Sequence, residues 1–302
     1  MSEETHGSIA ALSAGLADAV AQVAPAVVRV DDGSMLTASG ILWEPDGVVV
    51  AASHGVERDD EVTVVLADGS RHAANVIGRD SDSDIAVLRI EGVSGLPTIP
   101  RQEDESTVRV GSLAVAVAVP GEAGLVATLG VVSRKQETQT DEQPEYILTT
   151  DAVLYPGFSG GALVDVHGKM IGMLNRLFGR GMSVALGTPL VARVAATLLA
   201  HGKMPRGYLG VRTQLVDLPE NLRAGLGLAQ SRGLLVARVE AGSSADQAGV
   251  FLGDILLRIG EEPLDDVQVL RRNLRAGEAT TLSVLRGGQL QSVPVTVGTA
   301  KE

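Results

Sequence analysis

Three polar side chains have types and an order that suit nucleophilic catalysis: His54, Asp84 and Ser159. His54 follows the hydrophobic run Val48–Ser53, and Asp84 directly precedes the run Ile85–Leu88. A histidine at a strand end can act as a general base, and a nearby carboxylate can orient the imidazole and stabilise its cation. The order histidine, aspartate, serine therefore predicts a catalytic triad in a cleft shared by two successive barrels.

Ser159 lies in the glycine-rich segment Pro156–Gly161, which predicts a sharp turn. A hydroxyl that projects from a tight bend can attack a carbonyl carbon, and nearby backbone N–H groups can stabilise the resulting oxyanion. Gly157 and Ser159 are the predicted oxyanion donors. A glycine-rich hairpin turn with no catalytic role would use the same residues, so this alternative stays open at the level of the hexapeptide.

The same segment contains G-x-S-x-G, the nucleophile elbow of α/β-hydrolases. That fold needs a helix directly after the serine and a histidine further along the chain. The downstream histidines are His167, in a turn, and His201, after a helical pattern. Because a strand–turn–strand pattern follows Ser159, the sequence favours the order histidine, aspartate, serine over the hydrolase order.

Short strands must position these side chains. Eleven β-like runs lie between Val27 and Leu174, separated by turns such as Pro45–Gly47, and they predict an antiparallel sandwich or barrel. A helical pattern over residues 189–199 and a short polar linker over residues 201–206 follow. The remaining residues predict a second module with five strands, the first at residues 209–211, and with helices at residues 244–249 and 265–274.

The composition excludes several functions. The chain has 302 residues and no cysteine, which rules out disulfides, thiolate catalysis and cysteine-ligated metals. No histidine pair has metal-ligand spacing, so we expect neither a metal nor another cofactor. A net charge of −12, most of it in residues 1–206, argues against a general affinity for nucleic acid.

The N-terminal residues 1–24 predict an amphipathic helix. Its acidic start and polar residues such as Asp18 do not fit a secretory leader. The longest uninterrupted apolar run, Leu113–Val119, is far shorter than a membrane span of about 20 residues. The sequence therefore predicts a cytoplasmic protein with no membrane span, or a periplasmic or other extracytoplasmic one if a leader or anchor has been removed.

From about Ala24 onward the chain resembles the trypsin-like serine proteases of the HtrA/Deg family that carry one C-terminal PDZ domain. Six motifs carry this resemblance: Ala51–Val56, Asp84–Leu88, Thr150–Ala152, Gly157–Leu163, Gly207–Val211 and Gly249–Leu256.

The resemblance implies a mostly β protein, with a trypsin-like double β-barrel protease domain at residues 25–200 and a small α+β PDZ domain at residues 207–300. It implies an ATP-independent serine endopeptidase in bacterial protein quality control and stress response. Such an enzyme would cleave unfolded or damaged proteins after small or medium aliphatic residues.

The resemblance also implies a site for peptide C-termini in the second domain. Tyr208, Leu209, Gly210 and Val211 would form the loop and strand edge that hold the peptide carboxylate. Four apolar residues would either line a side-chain pocket or form the ordinary core of the domain: Leu209, Val211, Leu270 and Leu274.

Three positions depart from the family pattern. Phe158 replaces the usual asparagine or aspartate, Gly55 replaces a β-branched residue, and no aromatic precedes Trp43, where family trimers commonly use aromatics. These departures leave an alternative function open: a catalytically resting or inactive peptide-binding, chaperone-like protein on the same scaffold. The implied partners are unfolded polypeptides and peptide C-termini, with a homotrimer left open and nucleic acid excluded.

Overall fold

The structure is a computed structural model that describes residues 3–34, 37–58, 62–102, 104–138, 145–178, 182–204 and 207–299. The chain divides into two compact units, Met1–Met204 and Pro205–Glu302. Of the predicted domain and linker boundaries, Met1, Arg206 and Ala300 lie outside the described residues. The predicted boundaries remain predictions.

The first unit begins with helix α1 (Glu3–Val23), a short 3-10 helix (Ala24–Ala26) and a closed six-stranded barrel. The strands are rich in valine, and their side chains point alternately to the barrel interior and to its covered outer face. Most of these side chains are therefore buried. The barrel order is β1-β2-β3-β6-β5-β4. Its strands are β1 (Val27–Asp31), β2 (Ala38–Glu44), β3 (Val48–Ala52), β4 (Val62–Val65), β5 (Arg71–Asp80) and β6 (Ile85–Ile90).

A second closed barrel follows, with the order β10-β11-β12-β9-β8-β7. The two six-stranded barrels confirm the predicted fold class. The sequence analysis missed β12, which closes the ring between β11 and β9. The strands are β7 (Leu113–Ala118), β8 (Val126–Thr138), β9 (Glu145–Thr150), β10 (Ala162–Val164), β11 (Met170–Asn175) and β12 (Ser183–Gly187).

Helix α2 (Thr188–His201) ends the first unit, as the apolar spacing predicts. It buries Val191, Val194 and Leu198 in the core of the first unit. The helix ends at Gly202, whose left-handed backbone lets its N–H bond the carbonyl of Leu198.

The N-terminal helix differs from its prediction in hydropathy. The segment Ser8–Ala26 has 19 residues and a mean hydropathy of 1.4, which by length and composition alone is enough to cross a membrane. Only 17% of it is buried, so it is not a covered core helix. The segment has no uninterrupted apolar run, but closely spaced alanine, leucine and valine make this helix apolar on average despite polar residues such as Asp18.

The second unit is a sheet with the order β14-β15-β16-β18-β19, flanked by short helices. Two predictions change: the first long strand begins at Val211 instead of Leu209, and helix α3 was missed although Pro219 and Gly227 flank it. The elements are β13 (Gly207–Tyr208), β14 (Val211–Asp217), α3 (Glu220–Leu226), β15 (Arg232–Val239), α4 (Ser244–Gln247), β16 (Ile255–Ile259), β17 (Glu262–Pro263), α5 (Val267–Arg272), β18 (Ala279–Arg286), β19 (Gln289–Thr296) and β20 (Gly298–Thr299).

The sheet of the second unit has two outer strands, β14 and β19. β14 pairs on one side with β15, and β19 pairs on one side with β18. Pro294 lies within β19, opposite Thr281.

Candidate active site

The structure brings His54 and Asp84 together. Asp84 Oδ2 lies 2.5 Å from the ring Nδ1 of His54, and Asp84 Oδ1 accepts the backbone N–H of His54 at 2.8 Å. Asp84 is buried, whereas the His54 side chain is 35% exposed. Two contacts between the same two residues fix both the backbone and the ring, so Nε2 is left as the ring nitrogen that can exchange a proton.

A strained turn places this carboxylate. Asp84 has a φ of 56° and is the one non-glycine residue with positive φ in the part of the chain that the structure describes. Asp80 shapes the turn by accepting hydrogen bonds from the N–H and the hydroxyl of Ser83. The carbonyl of Asp84 in turn accepts the N–H of Ser53, which joins the turn to the histidine segment. A short polar side chain tolerates this backbone conformation better than a bulky one.

Gly55 fits a close approach between the histidine turn and the neighbouring strand. A Cβ added to Gly55 would lie 2.5 Å from the Cβ of Ala38, far inside van der Waals contact. Arg79 also holds this turn by donating to the carbonyls of Ser53 and Arg58, at 3.3 and 3.0 Å. The departure at Gly55 is therefore accommodated by the packing around His54.

Asn175 completes the environment of Asp84, and the sequence analysis missed it. This residue ends β11 in the second barrel, is fully buried, and donates through Nδ2 to Asp84 Oδ2 at 2.8 Å. Its own Oδ1 accepts the N–H groups of Leu177 and Phe178. Each barrel thus supplies a hydrogen-bond donor to the same carboxylate.

Ser159 lies at the start of the segment that leads into β10, and it is 5% exposed. Its Oγ accepts the N–H of Arg176 at 3.2 Å. Among the residues that the structure describes, no hydrogen bond joins Ser159 to the ring of His54. Catalytic hydrogen bonds are often long before substrate binds, so the lack of this contact does not argue against Ser159, whose catalytic role stays a prediction.

The predicted oxyanion donors have free N–H groups. Within the described part of the chain, the N–H groups of Gly157 and Ser159 have no acceptor. Their neighbours do: Phe158 donates to Tyr155 and Gly160 donates to Leu174. The backbone therefore leaves two donors, on either side of Phe158, available to a developing negative charge.

Two glycines permit this loop conformation. Gly157 and Gly160 have φ values of 84° and 85°. A Cβ on Gly160 would lie 2.1 Å from the carbonyl oxygen of Ser39, and one on Gly157 would lie 2.7 Å from Cβ of Pro120. Both the backbone conformation and the space require glycine at these positions.

Ser39 ties the nucleophile loop to the first barrel, and no local sequence signal points to it. This fully buried residue of β2 donates through Oγ to the carbonyl of Gly157 at 2.8 Å and accepts the N–H of Val119 at 3.0 Å. Its backbone N–H donates to the carbonyl of Ser159 at 3.1 Å. Ser39 is thus a positioning residue for Gly157 and Ser159.

Phe158 belongs to the core of the second barrel. It is fully buried with Tyr146 and Leu148, and its ring meets that of Tyr155 edge-on with centroids 5.7 Å apart. The packing of this aromatic side chain therefore holds the nucleophile loop against the core of the second barrel. The departure at Phe158 thus places an apolar side chain in the core of the second barrel.

The predicted carboxylate loop in the second unit also presents free N–H groups. Within the described residues, the N–H groups of Leu209 and Gly210 have no acceptor, while their carbonyls accept the N–H groups of Ala245 and Glu240. The hydroxyl of Tyr208 donates to the carboxylate of Glu240, and this hydrogen bond raises the pKa of Tyr208. The phenol is therefore engaged elsewhere, and the loop would act through its backbone.

The strand that follows this loop, β14, is at the edge of its sheet. Leu209 and Leu270 are buried in the core of the unit, and Val211 and Leu274 pack against it half-buried. The predicted pocket residues thus lie in one cluster. Among the described residues no group of three or more potential metal ligands lies together, and the prediction of no cofactor stays a prediction.

Comparison with known families matches both units. Residues 38–173 match the trypsin-like peptidase domain, and residues 207–297 match the PDZ domain. The first match contains the predicted triad, and the second contains the predicted carboxylate loop.

Curated relatives are similar along most of this chain. A protein of Ectopseudomonas mendocina named probable periplasmic serine endoprotease DegP-like is 34% identical over 87% of this chain and 56% of its own length. A protein of the same name from Rickettsia conorii is 33% identical over 77% of this chain and 47% of its own length. The chain spans about half the length of the curated relatives it matches.

Solved structures are similar over nearly whole chains. The HtrA-type protease AlgW with a tripeptide is 30% identical, with a TM-score of 0.68 over 95% of this chain and 98% of that one. The serine endoprotease from Yersinia pestis is 28% identical, with a TM-score of 0.67 over the same shares.

The predicted cytoplasmic location is wrong. Both curated relatives are named as periplasmic proteins, and the N-terminal segment Ser8–Ala26 has the length and hydropathy of a signal sequence. The error came from the demand for a continuous apolar run with a basic start.

Proposed function

The chain belongs to the HtrA-type serine proteases, and on this premise we propose that it is an ATP-independent serine endopeptidase that cleaves unfolded or damaged proteins. The observation that carries the proposal is the double contact of Asp84 with the backbone and the ring of His54. A carboxylate bound in this way sets the imidazole tautomer that can take a proton from a serine.

The proposed reaction proceeds by acyl transfer. Ser159 Oγ attacks the scissile carbonyl carbon while His54 Nε2 accepts the hydroxyl proton, and the N–H groups of Gly157 and Ser159 bind the oxyanion. His54 then returns the proton to the leaving amine, and water hydrolyses the acyl-enzyme by the same route. Ser159 Oγ must exchange its contact with the Arg176 N–H for one with His54 before attack.

Apolar side chains near the nucleophile support an unfolded substrate. Val153 and Tyr155, which precede the loop, are 55% and 51% exposed, and Leu177, which follows Arg176, is 60% exposed. Native proteins bury most such residues, whereas unfolded chains expose them. An apolar rim therefore favours unfolded substrates and cleavage next to aliphatic residues.

The second domain would bind peptide C-termini. The free N–H groups of Leu209 and Gly210 would hold the carboxylate, and the peptide would add to the open edge of β14 as a strand. Tyr208 and Val211 would flank this backbone site.

A second candidate function rests on one observation. Because Ser159 Oγ accepts the Arg176 N–H and makes no described contact with His54, the same geometry would suit a resting or inactive protein that only binds peptides. This alternative predicts binding without turnover.

Casein degradation by the full chain separates the two functions. We expect the parent protein to degrade casein and Ser159→Ala to lose at least about a thousandfold in rate. Ser106→Ala removes a hydroxyl that bonds only within an exposed turn, and it should match the parent. Equal degradation by Ser159→Ala and the parent would refute the assignment of the nucleophile.

A fluorophosphonate probe tests the resting state directly. Labelling of Ser159 requires a competent base and oxyanion hole, so we expect labelling of the parent, faster when C-terminal peptides are added. No labelling under either condition would support the peptide-binding alternative.

A further inference from the structure

Arg29 is a buried cation whose guanidinium makes no hydrogen bond to a described residue. The side chain is 7% exposed, its Nε has no partner, and no described group accepts a hydrogen bond from any guanidinium N–H. The nearest carboxylate oxygen, from Glu122, lies 4.0 Å away on a side chain that is 93% exposed. Burial of a charge without a hydrogen-bonded partner is unfavourable, so this arrangement requires an explanation.

Other partly buried arginines of the same chain are paired. Arg286 donates from Nε and Nη2 to both carboxylate oxygens of Asp254, at 2.8 and 2.7 Å, and to the carbonyl of Gly249. Arg193 donates hydrogen bonds from Nε and Nη2 to the two carboxylate oxygens of Glu145. Arg29 is more buried than either of them and has the poorest set of partners.

Arg29 lines a cavity of about 530 Å³ in the first unit that is open to solvent. The cavity is bounded by the turn of the hairpin between β4 and β5 and by the loop that follows β7, and Arg71 also lines it. Gly69, Gly121 and Gly124 also line the cavity, and a Cβ added to any of them would have no atom within 4 Å. A cavity of this size is large enough for a small organic molecule.

We propose that this cavity is a binding site for a small oxyanion, a carboxylate or a phosphate, held by the guanidinium of Arg29. The planar fork of an arginine matches the paired oxygens of either group, and the unbonded donors of Arg29 supply that fork. The site is separate from the proposed catalytic residues, and its occupation does not depend on the proposed protease activity.

Thermal unfolding of the full chain with added anions tests the site at constant ionic strength set with potassium chloride. The probes are inorganic phosphate and succinate in separate series, which distinguish the two sources of the oxyanion. We expect at least one probe to raise Tm by about 2–4 °C in a saturable manner. Calorimetric titration should then give one site per chain.

Three variants assign the binding to the cavity. Arg29→Gln should weaken binding at least about tenfold, because it removes the charge and the fork. Glu122→Gln should tighten binding about two- to fivefold, because it removes a carboxylate that competes for the guanidinium. Arg89→Gln removes an arginine that does not line the cavity and pairs with exposed Asp46, and it should bind like the parent.

The proposal fails if neither probe produces a saturable shift in the parent and in Glu122→Gln at about 50 mM, well above the Kd of a weak specific site. It also fails if Arg29→Gln keeps the affinity of the parent. If Arg29→Gln does not fold, Glu122→Gln decides, since unchanged or weaker affinity there contradicts the proposed geometry. Loss of casein degradation would bear on the proposed function alone, because these titrations contain no substrate.

Discussion

The nucleophile loop of the first unit and the carboxylate loop of the second use the same backbone device. Gly157 and Gly210 both have positive φ, 84° and 79°, and at both a Cβ would clash with a neighbouring residue, Pro120 or Ser243. In each loop, two N–H groups have no acceptor among the described residues. Both are therefore suited to receive a negatively charged oxygen.

The two loops differ in what surrounds the free donors. Beside the first loop lie an imidazole and a buried carboxylate, whereas beside the second lies the open edge of β14. The same donors can thus stabilise a transient oxyanion in one place and a permanent carboxylate in the other. The proposed role of each loop therefore depends on the groups that lie next to its free N–H donors.

The largest expected effect follows from Asp84→Asn. The neutral amide cannot stabilise the imidazole cation and permits the wrong tautomer, so kcat/KM for a peptide substrate should fall by about 10³–10⁴. Peptide binding by the second domain should not change. Asp82→Asn in the same exposed turn is the matched control, and a comparable loss there would mean that the turn, not the carboxylate, matters.

An intermediate effect is expected when the bound oxygen is changed. A peptide with a C-terminal amide should bind the second domain about 10- to 100-fold more weakly than the same peptide with a free carboxylate, since charge-assisted hydrogen bonds are lost. Fluorescence polarisation with full-length Ser159→Ala measures this without cleavage. Equal affinities would mean that the loop does not recognise the peptide carboxylate and that the peptide binds by strand addition alone.

A smaller effect is expected from Ser39→Ala. The loss of two buried hydrogen bonds should let the nucleophile loop shift, which lowers kcat about tenfold with little change in KM. The rate of fluorophosphonate labelling should fall in parallel, and Ser39→Thr should restore part of it. If only Tm falls while kcat is kept at temperatures well below it, Ser39 stabilises the barrels without positioning the loop.

Much of the fold could be predicted because it depends on local patterns. Valine-rich runs between aspartate–glycine turns predicted an antiparallel sandwich or barrel, and the family resemblance implied the double barrel. Asp84 and His54 stood out because each lies where a strand pattern begins or ends. The strand β12 was missed because Ser183–Gly187 is short and runs directly into the helical pattern.

The supporting residues of the site could not be predicted in the same way. Ser39 and Gly157 are 118 residues apart in sequence, and Asn175 and Asp84 are 91 apart. A lone serine or asparagine inside an apolar strand has no local signature, and its role appears only when the barrels meet. Gly55 and Phe158 raised doubt as departures, but their roles depend on the neighbours they pack against.

The edges of the sheets have a consequence for aggregation. Both barrels are closed in the part of the chain that the structure describes, so their strands present no free edge with which an extended chain could pair. In the second unit the outer strand β19 contains Pro294, which cannot donate a backbone hydrogen bond. Pro294 thereby disfavours the pairing of another chain with β19, while the edge of β14 stays open to the short peptide that we propose it binds.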